Sequence, residues 1–316
     1  MDPAHMKSAL ENILYEKDDF LKISSGIEQL YAAWSQYTNV FAGDLTYDTM
    51  RNTSRGKVVT PTQAAHCVKD LARTTHFLRG IHLAILDYLK KYDQVRILYA
   101  GCGPYATLLT PFTALYSPDQ LAFTFIEIEP VSYNAVLKLY EKCRITAYLE
   151  EIRLTDATDP AISFPHNFHI IISETMQVGL NNECQVPITR NLSRFLTPGG
   201  TFIPQRITLD VYLVGSYDTL RPDTAEKLLL GTAYDLDFKK VPPEGSTTTL
   251  AMPPSSLEYL QLFTEIYLFG DERLTARQSG LTLPLTLDRY VDRRPAKIHF
   301  TYEEGAMPKL SFEYGF

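Results

Sequence analysis

The segment VRILYAGCGP, residues 95–104, is a short apolar run that ends in two closely spaced glycines. Such a run is typical of a buried parallel strand, here Val95 to Ala100, and the glycines predict a tight turn at its carboxyl end. A ligand can approach a glycine backbone closely because no side chain is in the way. The segment therefore predicts a Rossmann-like α/β sheet with a ligand at the turn formed by Gly101, Cys102 and Gly103.

The segments beyond this turn alternate between strand and helix patterns. From Val95 to Pro130 the expected order is strand, glycine turn, helix and a second strand tipped by acids. The further predicted elements are that second strand over Ala122 to Ile128, a helix over Val131 to Cys143, a strand edge over Ile145 to Leu154 and a buried strand over Phe168 to Ser173. This alternation predicts a doubly wound α/β domain.

Helical patterns precede the sheet. Helices are predicted from Pro61 to about Arg79 and from Ile81 to Lys90, after an amphipathic region that starts near Ser8. Residues 1–6 contain a second methionine after Ala-His, which is typical of an appended cloning remnant, and they are excluded from the predicted fold. We therefore predict an N-terminal helical cap over residues 7–90, followed by a Rossmann-like cofactor-binding domain over residues 91–204.

The character of the chain changes after the turn Leu196-Thr-Pro-Gly-Gly200, and a mainly β domain is predicted over residues 205–316. Period-two alternation of Thr, Val and Tyr indicates strands. The predicted strand segments are Thr201 to Val214, Leu262 to Leu268 and Lys297 to Tyr302. Within this domain a helix is expected over Thr224 to Leu230, and an irregular loop over Val241 to Ser256.

Composition and charge narrow the function classes. A chain of 316 residues with 45% hydrophobic and 21% charged residues is long enough for two globular domains. A formal charge of −7 offers no broad cationic surface, which disfavours nucleic acid and membrane as partners. The four cysteines contain no C-x-x-C pair, so neither a zinc site nor a disulfide framework is expected. The same cysteine pattern fits a reducing cytoplasm, where we predict the protein to be. No run approaches the roughly 18 apolar residues of a membrane span.

Two acids at strand ends extend the ligand prediction. Glu127 closes the second strand, where a carboxylate can accept hydrogen bonds from both ribose hydroxyls, and Asp156 follows another strand near the expected adenine edge. The sequence leaves open whether Asp156 or Asp159 meets the adenine. A dinucleotide fingerprint would have a third glycine where this chain has Ala106. A simpler interpretation is a tight turn and two solvated acids. It does not explain why the glycine turn, Glu127 and Asp156 follow successive strands in this order.

Three motifs resemble those of the protein arginine methyltransferases. They are SETMQVGLNNE at 173–183, DLART at 70–74 and LTPGGTFIP at 196–204. The resemblance implies S-adenosylmethionine as cofactor, with Arg73 on its carboxylate, and it implies that Glu174 and Glu183 grip a cationic acceptor. Paired carboxylates suit this task because they orient an amine or guanidinium. The family also leads us to expect a homodimer.

Departures from the family point to a different acceptor. The family's Thr-His-Trp loop has no match, since Trp34 is the single tryptophan, and Tyr99 replaces the acid that usually precedes the glycine turn. Gly179, Asn181 and Asn182 replace bulkier apolar residues and are expected to reshape the acceptor pocket. We therefore predict a methyltransferase acting on a small molecule through an amine, hydroxyl or activated carbon. The alternatives are ring closure of the cofactor itself with release of methylthioadenosine, a true protein arginine methyltransferase, and a non-catalytic scaffold.

Overall fold

The structure is a computed structural model that describes residues 2–44, 46, 51–216, 225–289 and 295–316. Helices and one hairpin precede the parallel sheet: α1 (Pro3–Tyr15), α2 (Phe20–Thr38), β1 (Arg51–Thr53), β2 (Gly56–Val58), α3 (Pro61–Cys67) and α4 (Leu71–Leu89). The exclusion of residues 1–6 was wrong. Helix α1 begins at Pro3, and Met6 is only 3% exposed because it packs into the main core.

The break between α3 and α4 lies earlier than predicted. It falls at residues 68–70, where the Asp70 side chain accepts a hydrogen bond from the Arg73 backbone N–H at 3.1 Å and caps α4. Gly80, which falls between the two predicted helices, lies inside α4. A Cβ there would stand 2.9 Å from the Cβ of Leu268, so glycine serves close packing against a strand rather than a helix end.

A five-stranded parallel sheet forms the centre of the fold and confirms the predicted α/β class. Its order is β5-β4-β3-β6-β7, with β3 in the middle. The strands are β3 (Val95–Ala100), β4 (Leu121–Glu127), β5 (Leu149–Leu154), β6 (Phe168–Ser173) and β7 (Leu196–Ile203); the helices after β4 and β6 are α5 (Pro130–Cys143) and α6 (Gln185–Leu192). This order brings the carboxyl ends of β3, β4 and β6 to one edge, the usual ligand position in such sheets.

The segment after the glycine turn differs from the expected helix. Turns are followed there by a short 3-10 helix, Thr110–Ala114. The Thr110 hydroxyl donates to the Tyr105 carbonyl at 2.6 Å, and Pro111 has no N–H to give. Both features oppose a continuous α-helix.

The C-terminal region is antiparallel β structure, as predicted. Its strands are β8 (Arg206–Val214), β9 (Lys227–Asp237), β10 (Thr247–Ala251), β11 (Tyr259–Phe269), β12 (Glu272–Leu274), β13 (Leu285–Arg289), β14 (Lys297–Glu303) and β15 (Lys309–Gly315). One sheet has the order β12-β11-β8-β9, with β13 also on β11, and another has the order β10-β14-β15. The domain boundaries at residues 90/91 and 204/205 stay predictions.

Two local predictions in this region were wrong. Residues 227–230 belong to β9 rather than to a helix, while Thr224 lies outside the described residues. Their Lys-Leu-Leu-Leu sequence favours a helix locally, but pairing with β8 overrides that preference. The expected loop contains β10, whose threonines suit a strand and pair with β14. No helix among the described residues has the length and apolar character needed to cross a membrane.

Candidate active site

One cavity of about 430 Å³ lies at the carboxyl edge of the parallel sheet. Every residue that the sequence proposed for a site lines it. These are Arg73, Tyr99, Gly101, Cys102, Gly103, Glu127, Asp156, Glu174 and Glu183. They come from α4, from β3 and the turn after it, from the end of β4, and from the segments after β5 and β6. Thus the topology of the sheet collects groups that are up to 110 positions apart in the chain.

The glycine turn requires glycine at both positions. Gly101 and Gly103 have φ of 68° and 65°, in the left-handed region where side chains are strained. A Cβ on Gly101 would also overlap the methyl group of Thr175. Thr175 is fixed in turn, because Gln185 Oε1 accepts a hydrogen bond from its backbone N–H at 3.0 Å. The turn therefore packs directly on the segment that carries Glu174.

Glu127 is buried beside the turn, with 5% exposure. Its Oε2 accepts from the Gly103 N–H at 2.8 Å, and its Oε1 accepts from the N–H groups of Ile128 and Glu129 at 2.8 and 2.9 Å. Burial raises the pKa of its carboxyl, and these hydrogen bonds oppose the rise. Since each carboxylate oxygen can accept more than one bond, Oε2 keeps capacity for a further donor.

The structure distinguishes the two aspartates that the sequence could not separate. Asp156 lines the cavity, whereas Asp159 is exposed and closes a turn through the Ala161 N–H. The Oδ1 of Asp156 accepts from the backbone and hydroxyl of Thr158, both at 2.8 Å. These bonds hold the carboxylate in place and leave Oδ2 available to a ligand.

Arg73 and Glu174 form an ion pair in the cavity wall. Both side chains are largely buried. Burial lowers the pKa of Arg73, but Glu174, together with Cys67 and Glu183, more than offsets this, and the net shift is upward. Burial raises the pKa of Glu174, and Arg73 opposes the rise. The second oxygen of Glu174, Oε1, is buried without a hydrogen-bond partner among the described residues. An unpartnered buried carboxylate oxygen is a site for a donor.

Asp70 joins the start of α4, which carries Arg73, to the C-terminal β region. Its Oδ1 caps the start of α4, while its Oδ2 accepts from the Ser279 hydroxyl at 2.7 Å and from the Gly280 N–H at 2.9 Å. The C-terminal β region therefore fixes the helix end that carries the guanidinium. Leu281, next in this segment, lines the cavity.

Glu183 lies at the far end of the acidic segment and is 7% exposed. Burial and the neighbouring Glu174 raise the pKa of its carboxyl to about 7, while Arg73, a hydrogen bond from Gln177 and Lys57 act in the opposite direction. The amide oxygen of Gln177 accepts from Asn182 Nδ2 at 3.1 Å, which leaves its NH₂ group to donate to Glu183. Two acids with different partners thus face one cavity.

Three of the residues between the two glutamates do not line the cavity that they were expected to reshape. Gly179, Asn181 and Asn182 are absent from its described lining and instead bind the segment to its surroundings. The Gly179 N–H donates to Thr264 Oγ1 at 3.1 Å, and a Cβ there would stand 2.9 Å from Leu285. The Asn182 N–H donates to the Pro308 carbonyl at 2.7 Å. The small residues allow the β region to approach the acidic segment closely.

Sequence reasoning missed the hairpin β1–β2, which covers the cavity. Lys57 and Thr53 line it, and the Lys57 N–H donates to the Asn182 carbonyl at 2.6 Å. Cys67, Gln177 and Cys184 also line it and were not predicted. The hairpin strands have only three residues each, too few for a periodicity to be recognised.

Tyr99 occupies the position where the resemblance expects an acid. Its ring packs edge-on against Phe125 and lines the cavity. Burial and then Glu174 raise its pKa well above the ordinary value, so the hydroxyl stays protonated. It thereby supplies a neutral polar group to the wall beside Glu174.

Comparison with known proteins finds a structural match for the fold but no sequence match. No family model and no curated protein matches the sequence. Among solved structures, the chain is similar to the Trypanosoma brucei PRMT1 enzyme-prozyme heterotetrameric complex with AdoHcy, with a TM-score of 0.55 over 79% of this chain and 92% of that one. The chain has the PRMT1 fold. Sequence identity is 15%, so the match concerns the fold, and the expected structural likeness to this family is confirmed.

Glu183 is expected to destabilise the unliganded protein as pH rises. Its pKa of about 7 lies above the unfolded value of about 4.3, so folding favours the protonated form. This contribution is fully present below about pH 4.3 and is lost as the pH rises through 7. Relative to wild type, Glu183→Gln should gain on the order of 3 kcal/mol of unfolding free energy between pH 4.5 and pH 8. Urea unfolding at the two pH values measures this, and a pH-independent difference would contradict it.

Proposed function

We propose that the protein is an S-adenosylmethionine-dependent methyltransferase that acts on a small-molecule acceptor. One observation carries the proposal. The glycine turn, Glu127 and the group formed by Arg73, Glu174 and Glu183 share a single cavity at the ligand edge of a PRMT1-like fold. The turn and Glu127 suit a nucleoside, and the three charged side chains suit the zwitterionic end of the cofactor together with a cationic acceptor.

The cavity fits the proposed cofactor residue by residue. Glu127 has acceptor capacity for a ribose hydroxyl, Asp156 keeps Oδ2 free near the adenine end, and Arg73 offers its guanidinium to the carboxylate. Gly101, Cys102 and Gly103 would border the nucleoside, and Tyr99 the methionine part. When bound, S-adenosylmethionine would supply a methyl carbon whose bond to the sulfonium breaks, with its electron pair staying on sulfur, as the acceptor's lone pair forms a new bond to that carbon.

The chain's own residues would orient the acceptor and accept its proton. Glu174 presents an unpartnered buried oxygen, which can hold an N–H donor. Glu183 has a pKa of about 7 and can accept a proton near neutral pH. No histidine is among the described residues that line the cavity, so its carboxylates are the candidate bases, and Glu174 and Glu183 are the two proposed to face the acceptor. Because these groups are buried, their interaction with a cation is stronger than in water.

The size of the cavity favours a small acceptor. A volume of about 430 Å³ lies near the lower end of the ~300–1,000 Å³ typical of ligand pockets. A bound nucleoside with its methionine part would take up most of it. The hairpin β1–β2 and Leu281 also line the space, so an acceptor has to fit between them and the cofactor.

Ring closure of the cofactor is a second candidate, supported by the Arg73–Glu174 contact. If Arg73 holds the cofactor's carboxylate, Glu174 lies beside the same end and reaches the adjacent ammonium. Loss of a proton from this ammonium to an acid would let its nitrogen attack the γ-carbon. The new nitrogen–carbon bond forms as the carbon–sulfur bond breaks, and methylthioadenosine leaves.

Binding and product analysis test both candidates. We expect titration calorimetry to show micromolar binding of S-adenosylmethionine, and chromatography after incubation with small amines to show S-adenosylhomocysteine. Methylthioadenosine formed without any acceptor would instead establish ring closure, and methylation of an arginine peptide would establish a protein substrate. If S-adenosylmethionine does not bind at millimolar concentration, all of the proposed enzymatic functions are wrong, and a non-catalytic scaffold is the alternative that stays.

A homodimer is also proposed, as the family resemblance implies. The solved T. brucei relative is a heterotetramer of enzyme and prozyme, which supports association in this fold. Sedimentation equilibrium should return twice the chain mass of 35.9 kDa, and a monomer would contradict the proposal.

A further inference from the structure

Lys57 is held at the cavity by close contacts between strand β2 and the segment Asn182 to Cys184. Its backbone N–H bonds to Asn182, next to Glu183. The preceding Gly56 has φ of 149°, and a Cβ there would stand 2.8 Å from the Cys184 sulfur and 3.0 Å from the Asn182 carbonyl oxygen. Only glycine lets the hairpin approach this closely. The position of Lys57 at the cavity is therefore set by the fold.

The ammonium of Lys57 differs in its surroundings from the other cation of the cavity. Arg73 is paired with Glu174, whereas Lys57 has no ion pair within 4.0 Å among the described residues. Its field acts on Glu183 without direct contact, as one of the weaker influences that oppose burial there. The cavity therefore presents a carboxylate pair and, on the side of Glu183, a separate unpaired cation.

These charges select among small acceptors. A simple amine would satisfy Glu174 and Glu183 but leave Lys57 facing a cation of its own sign. An anion alone would satisfy Lys57 and be repelled by the acids. A molecule with an amine and a carboxylate satisfies both kinds of charge, because its ammonium faces Glu174 and Glu183 while its carboxylate faces Lys57.

We infer that Lys57 binds the carboxylate of the acceptor, and that the acceptor is a small amino acid methylated on nitrogen. The inference rests on the proposed methyltransferase function. The acceptor ammonium gives its proton to Glu183. The free nitrogen then forms a bond to the methyl carbon as the carbon–sulfur bond breaks, and S-adenosylhomocysteine leaves with that bond's electron pair on sulfur. Lys57 acts as a specificity residue, since it touches the substrate away from the reacting atoms.

Matched pairs of probes test the inference. Glycine, β-alanine and 4-aminobutyrate would be compared with methylamine, ethylamine and propylamine, which lack only the carboxylate. Calorimetry on the enzyme saturated with S-adenosylhomocysteine measures binding, and release of S-adenosylhomocysteine from S-adenosylmethionine measures turnover. We expect at least one amino acid to bind tenfold or more tightly than its paired amine. Lys57→Met should abolish that preference and leave S-adenosylhomocysteine affinity within twofold.

Lys90→Met is the matched control, because Lys90 is an exposed lysine of α4's C-cap that does not line the cavity. It should retain the preference in full. Binding of S-adenosylhomocysteine with no preference for any amino acid overturns the role of Lys57 and leaves the cofactor proposal intact. A preference that survives Lys57→Met also overturns it. Failure of S-adenosylhomocysteine itself to bind rejects the proposed function instead.

Discussion

Glu174→Gln is expected to reduce turnover by ~10²–10³-fold, a loss comparable to that on removing one preorganised electrostatic group from an active site. The same change should tighten the binding of S-adenosylhomocysteine. Glu174 is the ion-pair partner of Arg73 in the unliganded protein, so the ligand carboxylate has to compete for that guanidinium. Without Glu174, Arg73 is a buried charge with no partner, and a ligand carboxylate relieves it. We expect an increase in affinity of about tenfold, ~1.4 kcal/mol.

Methylthioadenosine separates this effect from general repacking. It has no carboxylate, so its affinity should not change in Glu174→Gln. Glu183→Gln is the matched control, because Glu183 has no direct bond to Arg73, and it should lose turnover without a gain in S-adenosylhomocysteine affinity. Equal weakening of both ligands in Glu174→Gln would show that the Arg73–Glu174 pair does not compete with cofactor binding.

Glu127→Ala is expected to weaken S-adenosylmethionine binding by about 100-fold. Hydrogen bonds to a charged group contribute ~1.5–3 kcal/mol each, and the carboxylate would bind ribose hydroxyls. The change also removes an acceptor from three backbone N–H groups, so the melting temperature should fall. Calorimetry performed well below the melting transition separates the two effects.

Glu129→Ala is the control for that loss of stability. Glu129 is also buried and accepts from the N–H groups of Val131 and Ser132 at 2.7 and 3.0 Å, but it caps α5 and is not among the described cavity residues. It should lower the melting temperature and spare cofactor affinity. If both variants lose affinity equally, Glu127 acts through the backbone rather than on the ligand.

The sequence alone was sufficient to predict the sheet and the residues that meet at its edge. Apolar runs, a glycine pair and acids at strand ends are local signals, and a parallel sheet brings the carboxyl ends of its strands together. That is why Gly101, Glu127 and Glu174, read from separate segments, line the same cavity.

Tertiary structure decided the features that depend on distant partners. The strand at residues 227–230 follows from pairing with β8, against its own helix preference. Gly80 and Gly179 serve close approach by Leu268 and Leu285 rather than a helix end or a wider pocket. The Arg73–Glu174 pair and the place of Lys57 join segments about 100 or more residues apart. No local pattern encodes such contacts, because their geometry exists only once the sheet, the hairpin and the β region have packed together.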